Sequence, residues 1–193
     1  MGRGRRFRGF CRARPRCVFL LLLLTVFTLL AFCAGCDSNV AKVGAPAPPV
    51  SGKDIHGASL SLAAVRGKVV VLYFWTNSCC GGSLKESLEP VFQRNKDKGL
   101  AVIAVNEYNA PKEVASLAAK DRLSLPILLD SDSTWARDYL VFAYPTAFII
   151  DHNGIVRQRV LGQVSAAKLE QLVLKQLEIH QKSETEYEKT HHR

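Results

Sequence analysis

Methionine, acidic residues and cysteine are each scarce in telling places. Met1 is the sole methionine, and the first sixteen residues hold seven arginines and no acid. Charge of either sign is then missing from Cys17 to Gly35. Of six cysteines, Cys11, Cys17, Cys33 and Cys36 fall in this amino-terminal stretch, leaving only Cys79 and Cys80 for the rest of the chain. Two thiols do not make a disulfide scaffold, which excludes a small cystine-stapled domain. The formal charge of +9 is also misleading, because without those seven arginines 19 basic residues face 17 acidic ones. No basic stripe remains, and a nucleic-acid-binding face is excluded. There are no internal repeats, and the roughly 140 residues beyond the amino-terminal stretch are ample for one core.

The uncharged run from Val18 to Phe32 fits the hydrophobic core of an export signal, with positive charge before it holding the N-terminus in the cytoplasm. It ends Phe32-Cys33-Ala34-Gly35-Cys36-Asp37-Ser38, which resembles the lipobox of bacterial lipoproteins. On that reading Cys36 is acylated and anchors the mature protein, although Cys33 stands where the motif usually has an aliphatic residue. The alternative is an uncleaved signal anchor, since about 20 apolar residues span a bilayer. Both place the rest of the chain outside the cytoplasm, in the cell envelope. The expected division is a signal or anchor over 1–36, a Pro/Gly/Ala-rich spacer over 37–52, one domain over 53–180 and a disordered polar tail over 181–193. The His191-His192 pair in that tail reads as solvated, because two ligands without a third make a poor metal site.

Within the domain, Val69 to Trp75 is a continuous β-branched and aromatic run, as expected for a strand buried on both faces. Ser83 and Glu86 have capping-box spacing, predicting a helix from about Ser83 to Lys98, kinked at Pro90 and ended by Gly99. Leu100 to Val105 is a second buried strand, followed by the Asn106-Glu107 loop and a helix from about Pro111 to Arg122. Ile127 to Leu129 is a short strand, and a short helix after Ser133 carries Trp135 and Tyr139. Ala147 to Ile150, the His152-Asn153-Gly154 turn and Ile155 to Leu161 read as an antiparallel hairpin. A last helix, from about Ser165 to His180, places Leu169, Leu172, Val173 and Leu177 on one face. Alternating strands and helices followed by a hairpin and a helix predict an α/β fold whose mixed sheet is covered on both faces.

Cys79 and Cys80 fall where strand gives way to helix. Unpaired N–H groups and the positive end of the helix dipole stabilise a thiolate there, the form that attacks disulfides, peroxides or metals.

Three signatures in this order carry a resemblance: Phe74-Trp75-Thr76-Asn77-Ser78-Cys79 at a strand end, Tyr144-Pro145-Thr146 before a strand, and Phe148 to Val156 as the following hairpin. From about Val43 to Gln176 the chain resembles the membrane-anchored, TlpA/ResA-like thioredoxin-fold proteins of the bacterial cell envelope. That resemblance implies a thioredoxin-like fold and thiol-disulfide exchange with exported, disulfide-containing client proteins, as in cytochrome c maturation or general envelope redox. It implies a membrane thiol electron donor and neither a bound cofactor nor a metal. It further implies a cis Pro145 beside the reactive cysteine, with Tyr144 and Thr146 at the substrate, Trp75 shielding the thiolate and Glu107 assisting proton transfer. The active site departs from the family, whose pattern is Trp-Cys-x-x-Cys. Counting from Trp75 makes Cys79 the attacking thiol, with Gly82 in the resolving position. Counting back from Glu86 makes Cys80 the attacker, with Ser83 as partner. Release of a mixed disulfide then falls to the neighbouring thiol, through a vicinal disulfide, or to an external thiol.

Two other functions compete. Thr76-Asn77-Ser78-Cys79 matches the Thr-x-x-Cys spacing of peroxiredoxin-like peroxidases, though the proline usual upstream is missing. A redox-silent module that holds a client or delivers copper through soft thiolates is the other, disfavoured by the absence of methionine beyond Met1.

Overall fold

Continuous apolar runs build the centre of the molecule, a computed structural model that describes residues 40–191. The strands are β1 (Ser51–Lys53), β2 (Ser59–Ser61), β3 (Val69–Trp75), β4 (Leu100–Asn106), β5 (Ile127–Leu129), β6 (Thr146–Ile150) and β7 (Val156–Leu161). The helices are α1 (Asn77–Ser83), α2 (Glu89–Asn95), α3 (Pro111–Asp121), α4 (Thr134–Asp138) and α5 (Ala166–His191). β1 and β2 form a small hairpin, and the main sheet runs in the order β5-β4-β3-β6-β7. β3 pairs parallel with β4 and antiparallel with β6, which makes the sheet mixed as the element order predicts.

Every residue of β3 and β4 is buried, so their side chains feed two cores by alternation. Val69, Val71, Tyr73 and Trp75 meet Cys80, Leu84, Leu88, Leu169 and Val173 on one face. Val70, Leu72 and Phe74 meet Val50, Tyr139 and Phe148 on the other. Full burial of each large side chain contributes roughly 1.5–3 kcal/mol, which is why this strand holds the domain together.

Four boundaries differ from the sequence expectation. The helix after β3 begins at Asn77, with extended Thr76 as its N-cap, and not at Ser83. The Ser83–Glu86 capping box therefore does not form: Ser83 lies inside the helix and donates its hydroxyl to the Cys80 carbonyl at 2.6 Å. Gly81 and Gly82 are poor helix formers, but burial of Cys80, Leu84 and Leu88 at four-residue intervals overrides that propensity. The kink expected at Pro90 becomes a π turn over Leu84–Leu88, with Pro90 in the first turn of α2. A wide turn is where a residue without an N–H is accommodated. Gly99 ends the helix at φ 94° as expected.

The Pro/Ala-rich segment expected as a spacer is docked on the domain from residue 40 onward. Gly44 N–H donates to Val156 O at 2.8 Å and Ala47 N–H to Gly154 O at 2.9 Å. Val50 is buried, and the Tyr139 hydroxyl donates to Pro48 O at 2.7 Å. Its backbone groups complete the turn region of the β6–β7 hairpin, and its apolar side chains find sites in the second core. At the other end, the polar segment expected to lack structure continues α5 to His191. Residues 166–191 contain neither Gly nor Pro and are rich in Glu, Lys and Gln, which sustains helix after the buried stripe ends at Leu177. Cys36 with its lipobox, the signal or anchor over 1–36 and His192 lie outside the described residues. No helix among the described residues is long and apolar enough to cross a membrane.

Tyr139→Phe should cost about 1 kcal/mol by removing the hydroxyl from the buried Pro48 carbonyl. Urea unfolding would measure the loss, and faster amide exchange confined to Gly44, Ala47 and Val156 would place it in the docked segment.

Candidate active site

β3 ends at Trp75, and α1 leaves from that point, so Cys79 and Cys80 stand in the first turn of a helix by direct continuation of the chain. The two cysteines are disulfide-bonded to each other, with Cα atoms 3.8 Å apart. Their exposure differs sharply: Cys79 faces solvent, whereas Cys80 is 2% exposed within the core beneath it. Helical twist explains this, since Cys80 begins the stripe that continues through Leu84 and Leu88. The Thr76 hydroxyl lies 3.2 Å from Cys79 Sγ and 3.2 Å from Ser78 Oγ. An open groove of about 370 Å³ flanks Cys79 between Gly82, Ser83 and Glu86 on one side and the chain from Gln163 to Ser165 on the other.

The surrounding loops are fastened to α1. Asn77 N–H donates to Asn109 Oδ1 at 2.9 Å, and Asn106 Nδ2 donates to Asn77 Oδ1 at 3.3 Å. Ser83 Oγ lies 2.9 Å from the Tyr73 hydroxyl, which burial pushes above the usual phenol range. This pairing fixes the carboxyl end of α1 onto β3.

Glu107 follows the end of β4, its N–H donating to Trp75 O at 3.0 Å. Its side chain is fully buried and accepts a hydrogen bond from Ser133 Oγ at 3.0 Å, while Oε1 has no partner among the described residues. Burial first, then the adjacent Asp130 carboxyl, push its carboxyl up to about 8. The Tyr144–Pro145 peptide is cis, as the resemblance implies. Pairing of Phe74 with Thr146 places Pro145 at the same end of the sheet from which α1 departs.

The fold thus gathers Cys79, Cys80, Trp75, Glu107, Tyr144, Pro145 and Thr146 at one end of β3, β4 and β6, but it does not give them equal access. Trp75 and Thr146 are wholly buried, so neither presents a surface to a substrate. Trp75 packs in the core beside Cys80, and the Thr146 hydroxyl is turned inward onto Ala143 O at 2.7 Å. Tyr144 is half-buried, and its hydroxyl is raised by burial, by Tyr108 and by Glu107. Asp130, Ser133 and Tyr108 were not legible as site residues. Asp130 meets Glu107 only because β4 and β5 run parallel and side by side.

A mixed sheet whose central strand β3 turns into a cysteine-bearing helix, opposite a cis-proline, defines a thioredoxin-fold protein. The AhpC/TSA family model matches residues 43–159, and the chain belongs to that family. It is 35% identical over 133 residues to the thioredoxin-like protein YneN of Bacillus subtilis, covering 66% of this chain and 76% of the relative. It is 32% identical over 161 residues to the thiol-disulfide oxidoreductase ResA of Geobacillus thermodenitrificans, covering 81% and 91%. Among solved structures, the thiol:disulfide interchange protein DsbE from Chlorobium tepidum superposes with a TM-score of 0.63 at 29% identity, over 71% of this chain and 99% of that one.

The raised Glu107 makes stability pH-dependent with a definite sign. An unfolded glutamate titrates near about 4.3, so between there and about 8 the folded state holds a proton that the unfolded state does not. That contribution is complete below the unfolded value and is lost as pH rises through about 8. Glu107→Gln should flatten this slope and gain on the order of 2 kcal/mol relative to wild type at pH 9, read by urea unfolding across pH 5–9.

Proposed function

We propose that this chain is a thiol-disulfide oxidoreductase of the cell envelope, acting on exported proteins through the Cys79–Cys80 pair. The observation that carries this reading is the asymmetry of that pair: two bonded sulfurs at a helix N-terminus, one open to a groove and one buried. The names of the YneN, ResA and DsbE relatives support it.

In the reduced state, the first-turn N–H groups stabilise a Cys79 thiolate, and the Thr76 hydroxyl is placed to donate to it. The thiolate attacks one sulfur of a client disulfide, forming a mixed disulfide and expelling the first client thiolate. Cys80, deprotonated, then attacks Cys79 Sγ, closing the vicinal disulfide and releasing the second client thiolate. Two electrons pass from the protein to the client, and two from a membrane thiol donor restore the dithiol. Neither Gly82 nor Ser83 has a part in this exchange, so the missing Cys-x-x-Cys partner is replaced by the adjacent residue. Glu107, protonated up to about pH 8 at the same end of the sheet, is the candidate for supplying or receiving the proton of the buried thiol. Anchoring through Cys36 or through the uncharged amino-terminal run keeps the domain at the membrane surface.

The peroxidase alternative is favoured only by the Thr76 contact to Cys79. Among the described residues, no arginine lines the groove at Cys79 to polarise a peroxide.

Reduction of insulin or of a glutathione mixed disulfide tests the reading. Cys79→Ser is expected to abolish turnover, by about 10³-fold or more, since it removes the nucleophile. Cys80→Ser is expected to stall as a covalent client adduct on Cys79, visible by mass spectrometry under non-reducing conditions. Full turnover in both variants, or none in the wild type, would overturn the assignment.

A further inference from the structure

Among the described residues, four non-glycine residues have left-handed backbone conformations: Tyr108 at φ 65°, Arg122 at 54°, Ser133 at 54° and Leu140 at 49°. Arg122 is accounted for as the C-cap of α3. The other three converge on one surface cavity of about 350 Å³ that Phe142 completes. Leu140 follows the C-cap of α4 and ends that helix, its N–H donating to Arg137 O at 3.0 Å and the Val141 N–H to Ala136 O at 2.8 Å, and its side chain is left 50% exposed. Beside it Tyr108 is 73% and Phe142 74% exposed. A cluster of large apolar side chains left this open on the surface signals use by a partner.

The surroundings indicate the chemistry of that partner. Arg159 reaches across from β7, its guanidinium 4.8 Å above the Phe142 ring and bonded to the Leu140 carbonyl. Arg137 borders the cavity and donates to Asp132 O at 2.7 Å and to Thr134 Oγ1 at 3.1 Å. Asp132 accepts from the Thr134 hydroxyl at 2.8 Å, and Glu107 lies behind the cavity wall, accepting from Ser133 Oγ. Among the described residues neither arginine is paired with a carboxylate. The surface is therefore apolar at its centre and cationic at its rim. It is also continuous with the redox site: the Tyr108 ring meets Tyr144 edge-to-face at 6.0 Å, and the Tyr144 N–H and C=O have no hydrogen-bond partner among the described residues.

We propose that the surface formed by Tyr108, Leu140 and Phe142 docks an extended client segment that carries an aromatic or aliphatic side chain next to an acidic one. This deepens the thiol-disulfide reading and rests on it for the identity of the client. The segment runs past Tyr144, whose free backbone groups take its main chain, and seats its apolar side chain between Leu140 and Phe142. Its carboxylate faces Arg137 and Arg159. Small disulfides do not reach this surface.

The test uses the full chain and two fluorescein-labelled peptides in which serine replaces cysteine, one with Phe-Asp before that position and one with Ser-Lys. Binding is read by polarisation and needs no redox chemistry, so loss of docking and loss of the thiol-disulfide reading are separate results. The Phe-Asp peptide is expected to bind about tenfold more tightly than the Ser-Lys peptide, and Phe142→Ser to erase that difference. Leu140→Gly is expected to weaken the Phe-Asp peptide while raising Tm by about 2–4 °C, because glycine fits the left-handed backbone. Turnover of glutathione disulfide should be unchanged in both variants. Equal binding of the two peptides by wild type, or wild-type discrimination in Phe142→Ser, would overturn the proposal. So would a dimer that Phe142→Ser splits while peptide binding stays the same.

Discussion

The burial of β3 on both faces is the constraint on which the rest of the molecule depends. Its seven residues have no solvent-facing side, so each must be matched by an element above or below the sheet. Tyr73 and Trp75 are covered by the helical layer that Cys80, Leu84 and Leu88 supply. Phe74 is covered by Tyr139 at 5.4 Å and by the edge of Phe148 at 6.0 Å. Because the strand cannot shift without exposing one of these sets, its carboxyl end is a fixed point. Thr76, Cys79, Glu107 and the cis-proline loop are all referred to that point by one to four residues of chain or by strand pairing.

Rigidity at that end is reinforced from the far side of the helical layer. Arg94 donates two hydrogen bonds to Glu170, at 2.9 and 2.8 Å, and buried Asn95 donates a third at 3.0 Å. These donors hold the Glu170 carboxyl down to about 2. The clasp is partly exposed, so its value is orientation of α5 against α2 more than bulk stability. With α5 held, the segment from Gln163 to Ser165 is fixed as the outer wall of the groove beside Cys79. In the proposed exchange the exposed sulfur meets its substrate in a frame set by core packing, and the buried sulfur completes the reaction.

The two sides of the site divide the work. One is a polar groove next to the exposed sulfur, lined mainly by small and hydroxylated residues. The other is an apolar, arginine-rimmed surface beyond Tyr144. The sulfur chemistry needs access and a proton source, which are local properties. Choice among exported proteins needs area and shape, which the proposed surface beside α4 offers.

Much of this was legible in the residues, because strong local signals coincide with strong burial. The Val69–Trp75 run, the Leu100–Val105 run, the hairpin turn at Gly154 and the stripe through Leu169, Val173 and Leu177 each carry their signal in the chain. The adjacent cysteines at a strand-to-helix junction were equally plain. By itself the sequence determined a mixed α/β sheet and a thiol pair at the end of a buried strand. Tertiary structure alone decided which sulfur is exposed, since that depends on the angle at which α1 settles on β3. It also started α1 at Asn77, with Thr76 as its N-cap, against the local capping signal, turned Trp75 and Thr146 inward, and brought Asp130 against Glu107 from the end of a different strand. Each of these follows from packing between residues far apart in the chain, which leaves no periodic trace in the sequence.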